Sequence, residues 1–534
     1  MNQRAFGIMV FCLILAIAFY LGWRSSQSDE ARMDGQVDSG IDRVRYDQMD
    51  ESLSTVSQSG VLLREQLKAI AAESDSEQSS ELPIPGQAIL QAEDEEAYRR
   101  ILSEAALNGA QVKRQLDALR AVQLKITDTG KFAEWVARNG YEFSANYFVH
   151  SPPAPQVEPE SLEAYSATGN SLVQWLGLDG LSGAGVKVAV LDSGISEHPT
   201  FAASEIIRTE DGVSVYENGH GTAVASLIAG SHPQAMGVAP ETILLDFPVI
   251  DENGIGDTFL LAEKIIEAAD SGARVMNLSL GATGDSALVR QAISYAQSQD
   301  VIIVAAAGNE GVGQLTLPAY LPGVVAVGAV DAEGQILPFS NRGEGLDVVA
   351  PGYEVQAAWP DQRLVQMTGT SGAVPIVTGA LATLLAREPD LSSQEAVTIL
   401  QQYSNEAGTL GLDPNYGYGV LDLNRMLNRN ARGIYDAAVV SQYPDIANLG
   451  HMNVLVQNQG TETLYGIHVK TVSNGVPSSQ YIQQLLPGEV LVRSQRISSQ
   501  ARSELKVTTQ ISGGFSDIDN TNDMLESVLM PDSN

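Results

Sequence analysis

The sequence predicts an α/β protein built on a mostly parallel sheet flanked by helices, preceded by a small α+β domain and followed by an all-β sandwich. Three observations carry this expectation. Between Val186 and Met426, short and nearly continuous apolar runs ("VKVAVLD", "TILLDFPVI", "ARVMNLSL", "DVIIVAAAG", "GVVAVGAV") alternate with helical segments such as "FLLAEKIIEAADSG" and "SALVRQAISYAQSQ". Strands that are apolar on both faces belong to parallel sheets covered by helices. Ahead of this region, residues 87–149 read in the order βαββαβ. Beyond about Tyr435, "MNVLVQNQG", "YGIHVKTVSNG", "YIQQLLPGEVLV" and "SELKVTTQISG" alternate polar and apolar residues between turn signals, as the strands of a sandwich do.

Taken in order, the chain opens with 18 uncharged residues, Phe6–Trp23, long enough for a short transmembrane helix. Arg4 precedes them, while Arg24 is soon followed by Asp29 and Glu30, which favours the bulk of the chain outside the cytoplasm. No small-x-small cleavage site follows, so residues 1–23 are expected to be a retained signal anchor, with a cleaved signal peptide as the competing reading. Residues 24–84, rich in Ser, Gln, Asp and Glu, read as a flexible acidic stalk. In the α+β domain, 85–150, "QAIL" reads as a strand, "DEEAYRRILSEAALNG" as a helix and "AQVKRQLDALRAVQLKIT" as a strand pair. "GKFAEWVARNG" then reads as a helix and "YEFSANYFV" as a strand. The Pro-rich "SPPAPQVEPE" marks a linker over 151–170, ahead of the α/β domain at 171–430 and the sandwich at 431–534.

Composition excludes several functions. The chain of 534 residues is 44% hydrophobic and 18% charged, which is globular material, and its formal charge is −34. Such a surface does not bind nucleic acid or anionic lipid through basic patches. The one cysteine, Cys12, lies in the N-terminal apolar run, so disulfides, thiolate catalysis and cysteine metal sites are excluded from the rest. His150, His198, His232, His451 and His468 have no partner at helical i, i+4 spacing, and no metal role is expected of them.

Four polar residues fall where loops leave strands or enter helices, the places where ligands meet open parallel sheets. Asp192 ends "KVAVLD", His220 lies in "NGHGTAVASLIAG", Asn309 in "AAAGNEG", and Ser371 in "GTSGAVP" ahead of an apolar run. By itself Ser371 reads equally as a helix cap or as a nucleophile at a helix N-terminus. A serine hydroxyl needs a neighbouring imidazole to take its proton. The imidazole needs a carboxylate on its other nitrogen, and a tetrahedral oxyanion needs a fixed donor such as an Asn amide together with a backbone N–H.

In sequence and order, "VAVLDSGI", "NGHGTAVAS", "VIIVAAAGNEG" and "GTSGAVP" resemble the four active-site blocks of the subtilisin-like serine proteases (subtilases, peptidase S8), over roughly Leu181 to Leu427. The resemblance implies a subtilisin-like fold and a serine endopeptidase acting through an acyl-enzyme. In it Ser371 would be nucleophile, His220 general base and then acid, Asp192 its orienting carboxylate, and Asn309 the oxyanion donor. It further implies that Ser279, Leu280 and Gly281 form an edge strand for extended substrate backbone, and that Ala306, Ala307 and Gly308 line the pocket for the residue before the scissile bond. Protein or peptide substrates are the implied partners.

Departures from the pattern are Gly372 after the serine, Val374 before the proline, and Ala223 in place of a second histidine. None of these removes a proton-transfer group. Thr316 falls where a pocket-floor glycine is expected, implying a shallow pocket for small or medium apolar side chains. No cofactor is required for this chemistry. The loop "GSHPQAMGVAP" lacks the carboxylates or Asn of a tight calcium site, and "DIDNTND" is a possible calcium segment better read as a solvated turn.

The α+β domain resembles a subtilase propeptide in element order, which implies an intramolecular inhibitor that leaves by self-cleavage between about Tyr147 and Leu172. The C-terminal region resembles the CARDB-like sandwiches of bacterial surface proteins. Together with the anchor, these features place the catalytic part outside the cytoplasm, membrane-anchored or secreted after processing. Two other functions compete: a pseudoprotease that binds peptide strands without cutting, and a surface adhesion protein in which proteolysis only matures the chain. Active-site serine labelling discriminates among the three.

Overall fold

The computed structural model describes residues 83–151, 182–208, 218–282, 284–445, 447–448, 450–473, 475–496, 503–511, 517 and 522–529. The expected anchor, the stalk apart from its last two residues, and the linker apart from Ser151 lie outside the described residues.

The first described domain runs β1 (Pro83–Gln91), α1 (Glu95–Glu104), β2 (Ala110–Leu116), β3 (Ala121–Ile126), α2 (Thr129–Asn139) and β4 (Glu142–His150), in βαββαβ order. Each helix starts at an aspartate whose carboxylate accepts first-turn N–H groups: Asp94 from Ala97, and Asp128 from Lys131. The strands lie antiparallel in the order β4-β1-β3-β2. Ala88, Leu90, Leu124, Ile101, Phe132 and Trp135 form a core of the domain's own. β1 begins at Pro83, two residues inside the stretch assigned to the stalk.

The α/β domain contains β5 (Lys187–Asp192), β6 (Glu205–Arg208), α3 (His220–Ala229), β7 (Ile243–Pro248), β8 (Ile255–Asp257) and α4 (Thr258–Asp270). It continues with β9 (Val275–Leu278), β10 (Gly281–Ala282), α5 (Ala287–Ser298), β11 (Ile302–Ala306), β12 (Val324–Val330) and β13 (Val348–Pro351). The hairpin β14 (Val355–Trp359) and β15 (Arg363–Met367) follows, then α6 (Thr370–Arg387), α7 (Ser393–Tyr403) and α8 (Leu423–Asn428). Seven strands make one parallel sheet in the order β13-β12-β11-β9-β5-β7-β6. Its two faces feed two cores. On one, Val188, Val190, Val304 and Val327 pack with α3 and α6; on the other, Ala189, Leu191, Ile303 and Ala305 pack with α4 and α5. This alternation explains the unbroken apolar runs, since every side chain of such a strand is buried on one face or the other. The expected mostly parallel sheet flanked by helices is present in this order of strands and helices.

The small domain joins the α/β domain through a shared strand. The last residues of β4 pair antiparallel with β8 (Ile255↔His150, Gly256↔Val149, Asp257↔Phe148) and with β10 (Gly281↔His150, Ala282↔Val149). Asn146 of β4 also caps α4: its Oδ1 accepts from the Thr258 hydroxyl at 2.9 Å and the Phe259 N–H at 3.1 Å, beside the native cap Asp257.

The C-terminal region forms two antiparallel sheets. β16 (Ala437–Pro444), β17 (His451–Asn458), β18 (Leu464–Ser473), β19 (Val476–Leu485), β20 (Val490–Arg496), β21 (Ser503–Ile511) and β22 (Met524–Leu529) are ordered β16-β17-β20 and β19-β18-β21-β22. Val439, Val454, Val456, Ile467, Val469 and Val507 fill the space between them. The run "YIQQLLPGEVLV" is two strands, broken at Pro487-Gly488. In "DIDNTND", the described side chains hold the sandwich: Asp517 accepts from the Ala437 N–H, Asn522 donates to Asp436 and Gln459, and Asp523 accepts from the Thr509 hydroxyl.

Candidate active site

Asp192 is the last residue of β5 and is fully buried. Its Oδ1 accepts from the Ser193 N–H at 2.7 Å, and both carboxylate oxygens face His220 Nδ1, at 2.8 and 3.0 Å. His220 is the first residue of α3, with its own N–H donated to Asn218 Oδ1. The Ser193 hydroxyl ties the two elements by donating to the Asn218 carbonyl and accepting from the Gly221 N–H. Burial pulls the His220 pKa down, but the Asp192 charge and hydrogen bond outweigh it and leave the pKa above the ordinary value of about 6.5. A carboxylate on Nδ1 fixes the tautomer that presents Nε2 as a base.

Ser371 lies in the first turn of α6, a helix whose residues through Leu385 are buried against α3 and the sheet. Its sequence creates a local problem that the fold solves. Pro375 has no N–H for the Ser371 carbonyl four residues back, and the Ser279 hydroxyl supplies the missing donor at 3.0 Å. Ser279 is itself held by Asn277 Nδ2 at 3.0 Å. In return the Ser371 hydroxyl donates to the Ser279 carbonyl at 3.3 Å; Ser279 and Leu280 lie between β9 and β10 rather than in an edge strand. Ser371 thus stands at a helix start beside Ser279.

Asn309 follows β11, and its Oδ1 accepts from the Thr370 N–H and hydroxyl, both at 2.9 Å. That pairing directs the amide nitrogen toward the start of α6. Gly369, at φ +138, is where a Cβ would come within 2.9 Å of Asn309 Nδ2, so both backbone conformation and space require glycine there. Gly372 leaves room beside it, and the Met367 side chain lies 3.5 Å from where its Cβ would be.

The other expected residues fall around this centre. Ser279 and Leu280 are buried, and Gly281 lies in β10 in register with His150. Ala306 ends β11, Ala307 is fully buried, and Gly308 adopts φ +112. Thr316 hydrogen-bonds the carbonyls of Ala306 and Ala307 at 3.2 and 3.4 Å. Its Cγ2 and Oγ1 approach to 2.8 and 3.1 Å of where Cβ atoms on Gly308 and Gly281 would lie, so it stands between the two glycines. Among the described residues no group of three or more His, Cys, Asp or Glu is placed to hold a metal ion.

Two features were not anticipated. β8 is a second edge strand, hidden in "NGIGD" because three residues show no periodicity. Asp246, inside the apolar run of β7, is buried beside the turn that carries Asp192. Its Oδ2 accepts from the Ile195 N–H at 3.2 Å, and Arg208 Nε lies at 3.9 Å. Among the described residues its Oδ1 has no hydrogen-bond partner. Burial, opposed by the Ile195 N–H and Arg208 and reinforced by Asp192, raises its pKa to about 6. A charged residue within an apolar strand was the available signal.

Known proteins resemble this chain over its α/β domain. Residues 183–419 match the model of the subtilase family. The chain is 40% identical over 253 residues to subtilisin Savinase of Lederbergia lenta, covering 46% of this chain and 91% of that protein. It is equally similar to an alkaline protease of Alkalihalobacillus alcalophilus, of which it covers 64%. The identity is 32% over 265 residues to the minor extracellular protease Epr of Bacillus subtilis (strain 168), of which it covers 41%. With nearly the whole length of a relative matched at this identity, the chain belongs to the subtilase family of serine proteases.

Proposed function

We propose that this protein is a serine endopeptidase that cuts polypeptides through Ser371, His220 and Asp192, and that its N-terminal α+β domain is an intramolecular inhibitor. The observation that carries the catalytic part is the two-oxygen contact of Asp192 with His220 Nδ1; the helices that begin at His220 and at Ser371, α3 and α6, pack in one core, and Ser279 and Asn309 hold the start of α6. When substrate enters, the Ser371 hydroxyl swings from the Ser279 carbonyl to His220 Nε2, which takes its proton as the oxygen attacks the carbonyl carbon. Asn309 Nδ2 donates to the resulting oxyanion. Because the Thr370 and Gly372 N–H groups are committed to Asn309 Oδ1 and the Gly369 carbonyl, the Ser371 N–H is the first-turn donor that completes the hole. His220 then gives its proton to the leaving amine, and water repeats the sequence on the acyl-enzyme.

The placement of β4 supports the inhibitory role. Its residues 148–150 fill the slot between β8 and β10, the same backbone groups that an extended substrate would use. A substrate strand and β4 therefore exclude one another. Thr316 on the pocket floor supports a preference for small or medium apolar side chains before the scissile bond. Action outside the cytoplasm, by an anchored or secreted form, rests on the uncharged run Phe6–Trp23 and agrees with the name of one relative, a minor extracellular protease. The C-terminal sandwich, CARDB-like in its strand pattern, serves presentation or adhesion on this reading.

The test is labelling with a fluorophosphonate, comparing the wild-type chain with Ser371→Ala after a site-specific protease sequence placed within residues 155–165 has been cut to free the cleft. Labelling of the wild type alone, with cleavage of denatured protein, is the expected result. A wild type that neither labels nor cleaves would favour a peptide-binding pseudoprotease.

A further inference from the structure

The residues of β4 ahead of the cleft reach a feature outside the edge strands and the pocket. Successive strand residues point to opposite faces, so Tyr147 and Val149 share the face turned toward the α/β domain. Val149, in register with Ala282 and Gly256, is fully buried. Two residues upstream, Tyr147 donates its N–H to Thr258 Oγ1 at 3.2 Å. Its ring then lies over Gly284, where a Cβ would fall inside the ring's van der Waals envelope. Gly284 is buried and lies outside the left-handed region, so its backbone would accept any residue. What requires glycine there is the ring.

The surroundings define what this slot accepts. Burial, followed by the nearby charge of Asp285, raises the Tyr147 pKa and keeps the phenol protonated. Asp285 is held by Arg290 at 2.6 Å and by the Tyr320 hydroxyl at 3.1 Å, which gives the slot a fixed polar rim. A flat ring with at most a neutral donor at its tip fits here; a carboxylate does not, because it would meet Asp285.

We propose that Gly284 forms the floor of an additional substrate subsite that takes an aromatic side chain two residues upstream of a buried aliphatic one. In the inhibited chain Tyr147 occupies it. Accordingly, the favoured substrates are extended segments of the form aromatic-x-aliphatic preceding the cleaved bond. This inference rests on reading β4 as a strand held where substrates bind.

The experiment uses the full chain carrying Ser371→Ala, so that nothing is cut, and Tyr147→Ala, which vacates the slot. Two labelled peptides are titrated by fluorescence anisotropy, one with the sequence of residues 145–151 and one with Ala in place of its tyrosine. The tyrosine peptide should bind about ten-fold more tightly, the scale expected for burying one aromatic ring in part. Adding Gly284→Val should bring the ratio to one while the alanine peptide keeps its Kd, which shows that the fold survives. Equal Kd values before Gly284→Val, or a ratio that persists after it, would overturn the subsite. Failure of either peptide to bind would mean that β4 stays seated without Tyr147, and would overturn it as well. Fluorophosphonate labelling of the chain with Ser371 intact reports separately on the protease reading, since it does not depend on Gly284.

Discussion

Ser279 and Ser371 hold each other twice: the Ser279 hydroxyl donates to the Ser371 carbonyl, and the Ser371 hydroxyl donates to the Ser279 carbonyl. The first bond replaces the helix hydrogen bond that Pro375 cannot make; the second holds the hydroxyl of the proposed nucleophile against the Ser279 carbonyl. Ser279→Ala leaves the buried Ser371 carbonyl without that donor. We expect a stability loss of about 1–3 kcal/mol, the cost of a buried unsatisfied group, measured by urea denaturation. Fluorophosphonate labelling should slow as the first turn of α6 loosens. Unchanged stability would show that water replaces the hydroxyl.

On the proposed mechanism the His220 pKa sets the acid side of activity. The base works only when neutral, and its pKa in the folded protein is raised by Asp192 above the ordinary value. Once the cleft is freed, kcat/KM should fall as pH drops through a midpoint higher than 6.5. Asp192→Asn removes the charge that raises this pKa, so the midpoint should move down while kcat falls by about 10⁴, as in serine proteases that lose the orienting carboxylate. A midpoint that does not move would mean another group governs the profile.

Asn309→Ala removes the proposed oxyanion donor and also releases the Thr370 N–H and hydroxyl. A drop of roughly 10²–10³ in kcat with little change in KM is the expected signature, the size measured for this donor in subtilisin. A rise in KM with kcat intact would assign Asn309 to ground-state binding instead.

Burial of Asp246 has a stability consequence with a definite sign. Its folded pKa, about 6, lies above the ordinary 3.8, so the folded state binds the proton more tightly. The associated stabilisation is complete below about pH 4 and is lost as pH rises through 6. Asn keeps an acceptor for the Ile195 N–H without the buried charge. Asp246→Asn should therefore raise stability at pH 8 by as much as about 3 kcal/mol, with little effect near pH 4. Denaturant midpoints at the two pH values check this. Greater stability at both would point to packing rather than charge.

The candidate site residues were legible because polar groups at strand ends and helix starts leave local marks. Asp192 closes an apolar run, His220 and Ser371 begin apolar helices, and glycines flank all of them where chains approach closely. The parallel sheet was legible for a similar reason, since burial on both faces writes unbroken apolar runs. What was hidden depends on partners distant in sequence. β8 exists as a strand only because β4, from the preceding domain, pairs with it. Gly284 reads as a turn residue until Tyr147 is laid over it. The role of the Ser279 hydroxyl emerges only when Pro375 is brought alongside.

Thr316 offers the most direct handle on specificity. Its hydroxyl is held by the Ala306 and Ala307 carbonyls, and its methyl group stands against Gly308, so the side chain takes up volume that a glycine would leave open. On the proposed reading, the residue before the scissile bond sits above it. Thr316→Gly should deepen the pocket and raise kcat/KM for peptides with Phe or Leu at that position relative to Ala. The gain should be roughly ten-fold or more, since each added buried methylene contributes about 0.8 kcal/mol. Peptides with Ala there should lose a little, because the enlarged pocket is left partly empty. Kinetics on a peptide series varied only at this position, with the cleft freed, measure both effects. An unchanged order of preference would place the pocket floor elsewhere than at Thr316.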